Sequence, residues 1–148
     1  MADETTQLRV RLVTPERVLV ETSATSVELP SKTGYLEVLY GHAPLVAELG
    51  AGDVTVHGVA GTEPDGNITR YNVSWGFAEV LPNRVTILAS DALKPEEIDT
   101  QRAEQQLDRG LKQWKEAGES EESYNEALRV IAEAEAKLAS AGSTIKTR

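Results

Sequence analysis

The chain has 148 residues and no cysteine, and its 24 acidic side chains outnumber its 15 basic ones, which gives a net charge of -9. That charge argues against a nucleic-acid or anionic-lipid partner, because phosphates demand a basic surface, and the missing cysteines exclude disulfides and thiolate metal sites. No apolar run approaches the roughly 20 residues that span a bilayer, so any membrane association should run through a protein partner.

Residues 1–90 alternate apolar and polar side chains with the period of two that is typical of a half-buried strand. Clusters of Gly, Pro, Asn and Asp separate the short runs. The runs contain Leu8 to Leu12, Val18 and Val20, Val27 and Leu29, Leu36–Leu39, Val54–Val56, Ile68–Val73, Phe77–Val80 and Val85–Leu88. Many short strands at this spacing predict a β-sandwich or a flattened barrel.

Residues 91–148 are rich in Ala, Glu, Gln, Leu, Lys and Arg, which are good helix formers. Pro95 with two acids behind it suits the first turn of a helix, and an apolar stripe then runs to Trp114. Gly118–Ser123 interrupts the pattern, and a second stripe runs from Tyr124 to Leu138. The pattern predicts a two-helix hairpin that Gly142 ends, followed by a frayed tail. Both stripes are thin, so we expect a hairpin that can move.

Two segments carry candidate sites, although the sequence holds no nucleophile elbow, no phosphate-binding loop and no pair of histidines at metal-binding spacing. The first candidate surrounds one imidazole and consists of Tyr40, Gly41, His42, Ala43 and Pro44. This segment has two interpretations. It is either a plain turn, with the imidazole hydrogen-bonded to a backbone carbonyl, or a surface loop that contacts a partner. The residues alone favour the turn.

The second candidate lies at the start of the first predicted helix and consists of Ile98, Asp99, Arg102, Ala103 and Arg109. On a helix the two arginines lie about two turns apart on nearly one face. The planar guanidinium group matches the oxygens of a phosphate, so these residues could form a phosphate site. The alternative is an ordinary solvated helix face. The residues alone favour the solvated face.

Two longer segments carry a family resemblance. Gly34–Leu45 resembles the Gly-x-x-Gly-φ-Leu-Pro-Gly-His-Ala-Pro-Leu signature of F-type ATP synthase epsilon subunits, where φ is apolar. Val73–Leu88 resembles the same family's Val-Ser-Gly-Gly-Phe-x-Glu-Val-x-Pro-Asn-x-Val-Thr-φ-Leu segment. Glu37, Tyr40 and Trp75 depart from the pattern and stand where Gly, Pro and Gly are usual. The order of strands and helices also matches, so the resemblance runs from about residue 8 to residue 141.

The resemblance implies a mixed, mainly β fold, with an N-terminal β-sandwich of about ten strands in residues 1–90 and a C-terminal antiparallel two-helix hairpin in residues 91–148. It implies a non-catalytic rotor subunit that couples the gamma shaft to the c-ring at the cytoplasmic face of the inner (plasma) membrane. The hairpin would inhibit ATP hydrolysis by extending into the alpha/beta head.

The same resemblance gives each candidate segment a role. Residues 40–44 become a partner interface, and Ile98, Asp99, Arg102, Ala103 and Arg109 become a site for ATP as a regulatory ligand, with no other cofactor. Two alternatives stay open. One is a generic β-sandwich protein-binding module with a helical tail, and the other is an acid–base hydrolase that uses scattered carboxylates.

Overall fold

The computed structural model describes residues 7–58 and 68–146, with side chains as far as residue 142. The chain divides into two compact units, the first ending at Ala92 and the second beginning at Leu93. The first unit, called the β unit here, holds six described strands. They are β1 (Leu8–Val13), β2 (Val18–Ser31), β3 (Gly34–Leu39), β4 (Leu45–Gly58), β5 (Ile68–Leu81) and β6 (Arg84–Leu93). Among the described helices, none is long and apolar enough to cross a membrane.

Strand β1 closes the sheet of the β unit into a ring. The strand order is β1-β6-β5-β4-β2-β3, and β1 also pairs with β2. It runs parallel to β6 and antiparallel to β2. Residues 18–24 of β2 pair with β1, whereas residues 26–31 of the same edge pair with β3. Closure satisfies backbone groups that an open sheet would leave unpaired at its edges.

The predicted count of about ten strands is wrong, because the described part of the chain forms six, and three of them are 14 residues long. Strand β5 joins two of the predicted runs through Trp75 and Gly76, whose φ angles are 59° and 126°. The alternation is interrupted at these two residues, but the ladder to β4 continues from Leu45 opposite Val80 to His57 opposite Ile68. The predicted class, a mainly β unit followed by two helices, agrees with the structure.

The core of the β unit is built almost wholly from aliphatic side chains. Alternate residues of each strand point inward, so every second side chain of a strand enters the core. Full burial of a Val or Leu side chain stabilises by about 1.5–3 kcal/mol. The core cluster consists of Leu8, Val10, Leu12, Val20, Ala24, Val27, Leu29, Val38, Leu49, Val54, Val56, Tyr71, Val73, Ala78, Val80, Val85, Ile87 and Ala89.

The second unit begins with a short 3-10 turn at Pro95–Glu97 and continues with α1 (Thr100–Glu116) and α2 (Glu121–Lys146). Pro95 therefore starts a single turn rather than the long helix. The helix is interrupted at Ile98, whose backbone is extended, and α1 is capped by Asp99. The predicted stop at Gly142 is wrong, because α2 continues to Lys146. A glycine ends a helix when it adopts a left-handed φ, and Gly142 does not.

The two helices pack as an antiparallel pair with a close approach at Gly110. A Cβ on this glycine would lie 2.9 Å from Cγ1 of Ile131. Closer to the connection, the rings of Trp114 and Tyr124 stand 6.3 Å apart between centroids at an interplanar angle of 47°, within the range of favourable aromatic pairs. The connection itself contains Gly118 with a φ of 60°. These contacts hold α1 and α2 together as a hairpin.

Candidate functional site

The first candidate, the Tyr40–Pro44 loop, is a tight turn held to the neighbouring β5–β6 turn. The amide of His42 donates to the carbonyl of Leu39 over 3.1 Å, and the amide of Gly41 donates to the carbonyl of Pro82 over 2.6 Å. Gly41 has a φ of 90°, a conformation that glycine adopts without steric penalty. Nδ1 of His42 lies 2.7 Å from the carbonyl oxygen of Ala43. A carbonyl only accepts, so Nδ1 carries a proton.

These hydrogen bonds make the loop a turn whose imidazole is bonded to a backbone carbonyl, and the turn also lies at the surface. Tyr40 is 45% exposed, and Gly41, Ala43 and Pro44 are exposed as well, whereas His42 is partly covered. The two interpretations of the sequence are therefore not exclusive. The assignment of the loop as a partner interface stays a prediction.

Beside this loop the outer side of the sheet carries three large exposed apolar side chains, Val46 on β4, Phe77 on β5 and Leu88 on β6, which we call the apolar face. Their exposed fractions are 69%, 54% and 53%. Val46 pairs with Glu79 and Glu48 pairs with Phe77, so Val46 and Phe77 are diagonal neighbours on one side of the sheet.

Leu88 completes the apolar face on the third strand. Strands β5 and β6 are hydrogen-bonded neighbours joined by a two-residue turn. Counting the register outward from that turn puts Leu88 opposite Phe77, and the backbone of Leu88 lies against Gly76, the residue before Phe77. The only phenylalanine of the chain thus lies outside the core. Contiguous exposed apolar side chains of this kind mark interaction surfaces. These three residues were not predicted as a site. One signal was present in the sequence, since each of the three strands carries a large apolar residue among outward positions that are otherwise largely polar.

The five residues of the second candidate have three different roles in the structure. Ile98 and Ala103 are buried, with exposed fractions of 9% and 2%. Oδ1 of Asp99 accepts the amide of Arg102 over 3.1 Å, so this carboxylate caps α1 and offsets the positive end of the helix dipole. Arg102 and Arg109 are exposed, and they are the members of the set whose side chains can reach a ligand.

The seven-residue spacing of Arg102 and Arg109 separates them by about 10 Å along α1 and by only about 20° around it. Among the described residues neither arginine forms an ion pair with a side chain. Two unneutralised guanidiniums on one face can bind the oxygens of a phosphate chain. ATP binding at this face stays a prediction.

Metal chemistry finds no support in the described part of the chain, where no group of three or more His, Asp or Glu side chains could hold an ion.

Residues 7–95 match the family model described as "ATP synthase, Delta/Epsilon chain, beta-sandwich domain". An ATP synthase epsilon chain from Solibacter usitatus (strain Ellin6076) is 41% identical over 134 residues, which cover 90% of this chain and 95% of that relative. This chain belongs to the ATP synthase epsilon family. The resemblance inferred from Gly34–Leu45 and Val73–Leu88 is thereby confirmed.

A second family member is more similar over a shorter stretch. An ATP synthase epsilon chain from Koribacter versatilis (strain Ellin345) is 45% identical over 97 residues, and the match spans 64% of this chain and 62% of the relative. A solved structure, described as Euglena gracilis mitochondrial ATP synthase with OSCP, F1 and c-ring in rotational state 1, contains a chain of similar fold. Its TM-score is 0.75 at 22% identity, covering 93% of this chain and 83% of that one. At that identity the likeness shows the fold alone.

Proposed function

We propose that this chain is a non-catalytic rotor subunit of an F-type ATP synthase, in which the β unit couples a gamma shaft to a c-ring. The observation that carries the proposal is membership of the epsilon family. The family model matches the β unit, and the similarity to the Solibacter usitatus relative covers 90% of the chain, so it includes the helices as well. The complex would place the chain at the cytoplasmic face of the inner (plasma) membrane, held there through its protein partners.

The docking surface in this proposal is the Tyr40–Pro44 loop together with the apolar face. The loop projects Tyr40, which is 45% exposed, and the apolar face follows on adjacent strands. A protein partner that covers these side chains removes apolar area from water, which favours association. Substituting His42 by Asp would place an unpaired charge in that contact.

Binding of the cognate gamma subunit to the His42→Asp variant tests the docking surface. We expect binding to be weaker than for the unaltered chain by at least about tenfold, because a buried charge without a partner in an interface costs about 2 kcal/mol or more. A matched control is Thr33→Asp, which adds the same charge at the exposed turn between β2 and β3. Equal affinities for both variants would remove His42 from the interface.

The hairpin is proposed to restrain ATP hydrolysis by extending from the β unit into the alpha/beta head. Its helices support this role, because Leu111, Trp114, Tyr124 and Leu128 remain between 41% and 42% exposed, so the pair has apolar side chains left to contact another surface. The test is ATP hydrolysis by the reconstituted head complex with no epsilon chain, with the full chain, and with a chain that ends at Ala92. Inhibition by the full chain alone is expected, and equal rates in all three would refute it.

ATP is proposed to act as a regulatory ligand at the exposed face of α1. Arg102 and Arg109 would contact the phosphates, and Asp99 would fix the start of the helix that presents them. A ligand shifts a conformational equilibrium only by its differential affinity for the two states, so ATP would relieve inhibition by binding the folded hairpin more tightly.

Calorimetric titration of the full chain with ATP tests this site. Arg102→Ala and Arg109→Ala should each weaken binding while leaving the helical circular dichroism signal unchanged. Lys112→Ala removes an exposed cation from the same helix and should bind ATP as the unaltered chain does. No heat of binding at millimolar ATP would leave the rotor role without nucleotide sensing.

A further inference from the structure

Two arginines stand directly opposite each other on adjacent strands at the end of the β unit that carries the predicted interface loop. Arg9 on β1 pairs with Arg84 on β6 in the parallel register, and both are exposed. Registered neighbours in a parallel pair project to the same face. Both side chains line one groove of about 340 Å³, together with Val10, Arg11, Glu21 and Thr86.

Like charges directly opposite each other destabilise a sheet, and the rest of the described β unit does not neutralise this pair. Arg11, two residues along β1, has its own partner in Glu21 over 3.3 Å. The side chain of Arg9 donates to the neutral hydroxyl of Ser23 over 3.3 Å. Among the described residues no carboxylate bonds to Arg9 or Arg84. The chain carries 24 acids against 15 bases, so this local excess of positive charge runs against its overall composition.

The arginine pair is physically continuous with the predicted interface loop. The amide of Arg9 donates to the carbonyl of Asn83 over 3.0 Å, and the amide of Gly41 donates to the carbonyl of Pro82 over 2.6 Å. Strand β1 and the Tyr40–Pro44 loop are thus both hydrogen-bonded to the two-residue turn at Pro82 and Asn83. Farther along β6, the outward positions after Arg84 are Thr86 and then Leu88, so the same side of the sheet leads from the arginines to the apolar face.

We infer that Arg9 and Arg84 form an anchor for carboxylates of the protein that docks on the apolar face. A carboxylate placed between two guanidiniums accepts charge-assisted hydrogen bonds from both and removes their mutual repulsion. The apolar face selects a protein over a small anion, because only a macromolecular surface covers Leu88, Phe77 and Val46 at the same time. A net charge of -9 disfavours an anionic membrane. The inference rests on the proposed function, in which this partner is the gamma shaft, and predicts acidic residues beside its apolar contact stripe.

The test is the affinity of the full chain for the purified cognate gamma subunit at about 50 mM and about 300 mM salt, where screening lengths differ more than twofold. Arg9→Glu and Arg84→Glu should each weaken binding about tenfold at low salt and less at high salt. The matched control is Arg17→Glu, which makes the same charge change at the exposed β1–β2 turn, and it should stay within about twofold. Circular dichroism confirms that each variant is folded.

Three results would overturn the anchor. If the unaltered chain binds gamma and all three variants bind equally well, docking stands and the anchor fails. If gamma binding is unchanged but the unaltered chain binds cardiolipin-containing vesicles and Arg84→Glu does not, the arginines recognise a lipid headgroup instead. If the unaltered chain does not bind gamma at all, the proposed function fails and the inference falls with it.

Discussion

Replacing Gly76 by alanine should destabilise the β unit strongly, for two separable reasons. Its φ of 126° lies in a region that residues with a Cβ rarely adopt, and such a conformation costs about 1–3 kcal/mol. The added Cβ would also overlap the carbonyl oxygen of Leu88 and lie 3.1 Å from Cα of Ala89. Backbone cannot move aside as a flexible side chain can, so overpacking adds about 1–3 kcal/mol. The expected loss is therefore about 2–6 kcal/mol, a large part of the 5–15 kcal/mol that stabilises a typical domain.

Gly34 offers a matched control because its φ of 133° is nearly the same, yet nothing lies within 4 Å of the position of its added Cβ. Gly34→Ala should lose only the conformational part, about 1–3 kcal/mol. The difference between the two variants isolates the clash with the β6 backbone.

Urea unfolding followed by tryptophan fluorescence measures both losses. A Trp114→Phe background leaves Trp75 on β5 as the single tryptophan, so the signal reports the β unit. Equal free energies of unfolding for Gly76→Ala and Gly34→Ala would refute the packing argument. A loss below 1 kcal/mol for both would refute the conformational argument as well.

Three further predictions concern the two units separately. A chain that ends at Ala92 should fold, because the core cluster lies wholly within it; a flat thermal transition by circular dichroism would contradict this. Asp99→Ala should remove the cap of α1 and lower hairpin stability by about 1 kcal/mol, whereas Asp99→Asn keeps an acceptor and should lose less, as helical ellipticity during urea unfolding will show. Gly110→Val should force the helices apart and lose about 1–3 kcal/mol, but Gly142→Ala meets open space and should gain up to about 1 kcal/mol; the opposite order of stabilities would refute both.

The class of the fold was predictable from the sequence because the period of the apolar pattern changes from two to about 3.6 between the halves. The number of strands was not. An alternation rule detects side-chain direction, and direction is disturbed at Trp75 and Gly76 while hydrogen bonds to β4 continue. The family signature has a glycine at the position of Trp75, and the φ of 59° there gives the physical reason, since glycine adopts that region freely.

The candidate sites were predictable to different extents. The loop around His42 was found as a contiguous motif, and the structure shows the hydrogen bonds that hold it. The roles within the helix motif depend on burial, which spacing alone does not give, so Ile98 and Ala103 were grouped with the exposed Arg102. The arginine anchor was invisible in the sequence. It depends on the register between the first and last strands of the β unit, and that register exists only in the folded sheet.

The ring closure by β1 has a consequence for the order in which the chain folds. Arg9 pairs with Arg84 and Val13 with Leu88, so the sheet cannot close until almost the whole β unit has left the ribosome. Contacts between residues so distant along the chain form slowly, because the entropy cost of closing the loop must be overcome first. The two helices follow each other along the chain and meet across a short connection, where Trp114 packs on Tyr124. Helical contacts of this kind form faster than the β1–β6 closure. During synthesis we therefore expect β1 to pair with β2 first and to keep its other edge open until β6 has emerged. The hairpin is made last, but it should form quickly once it emerges.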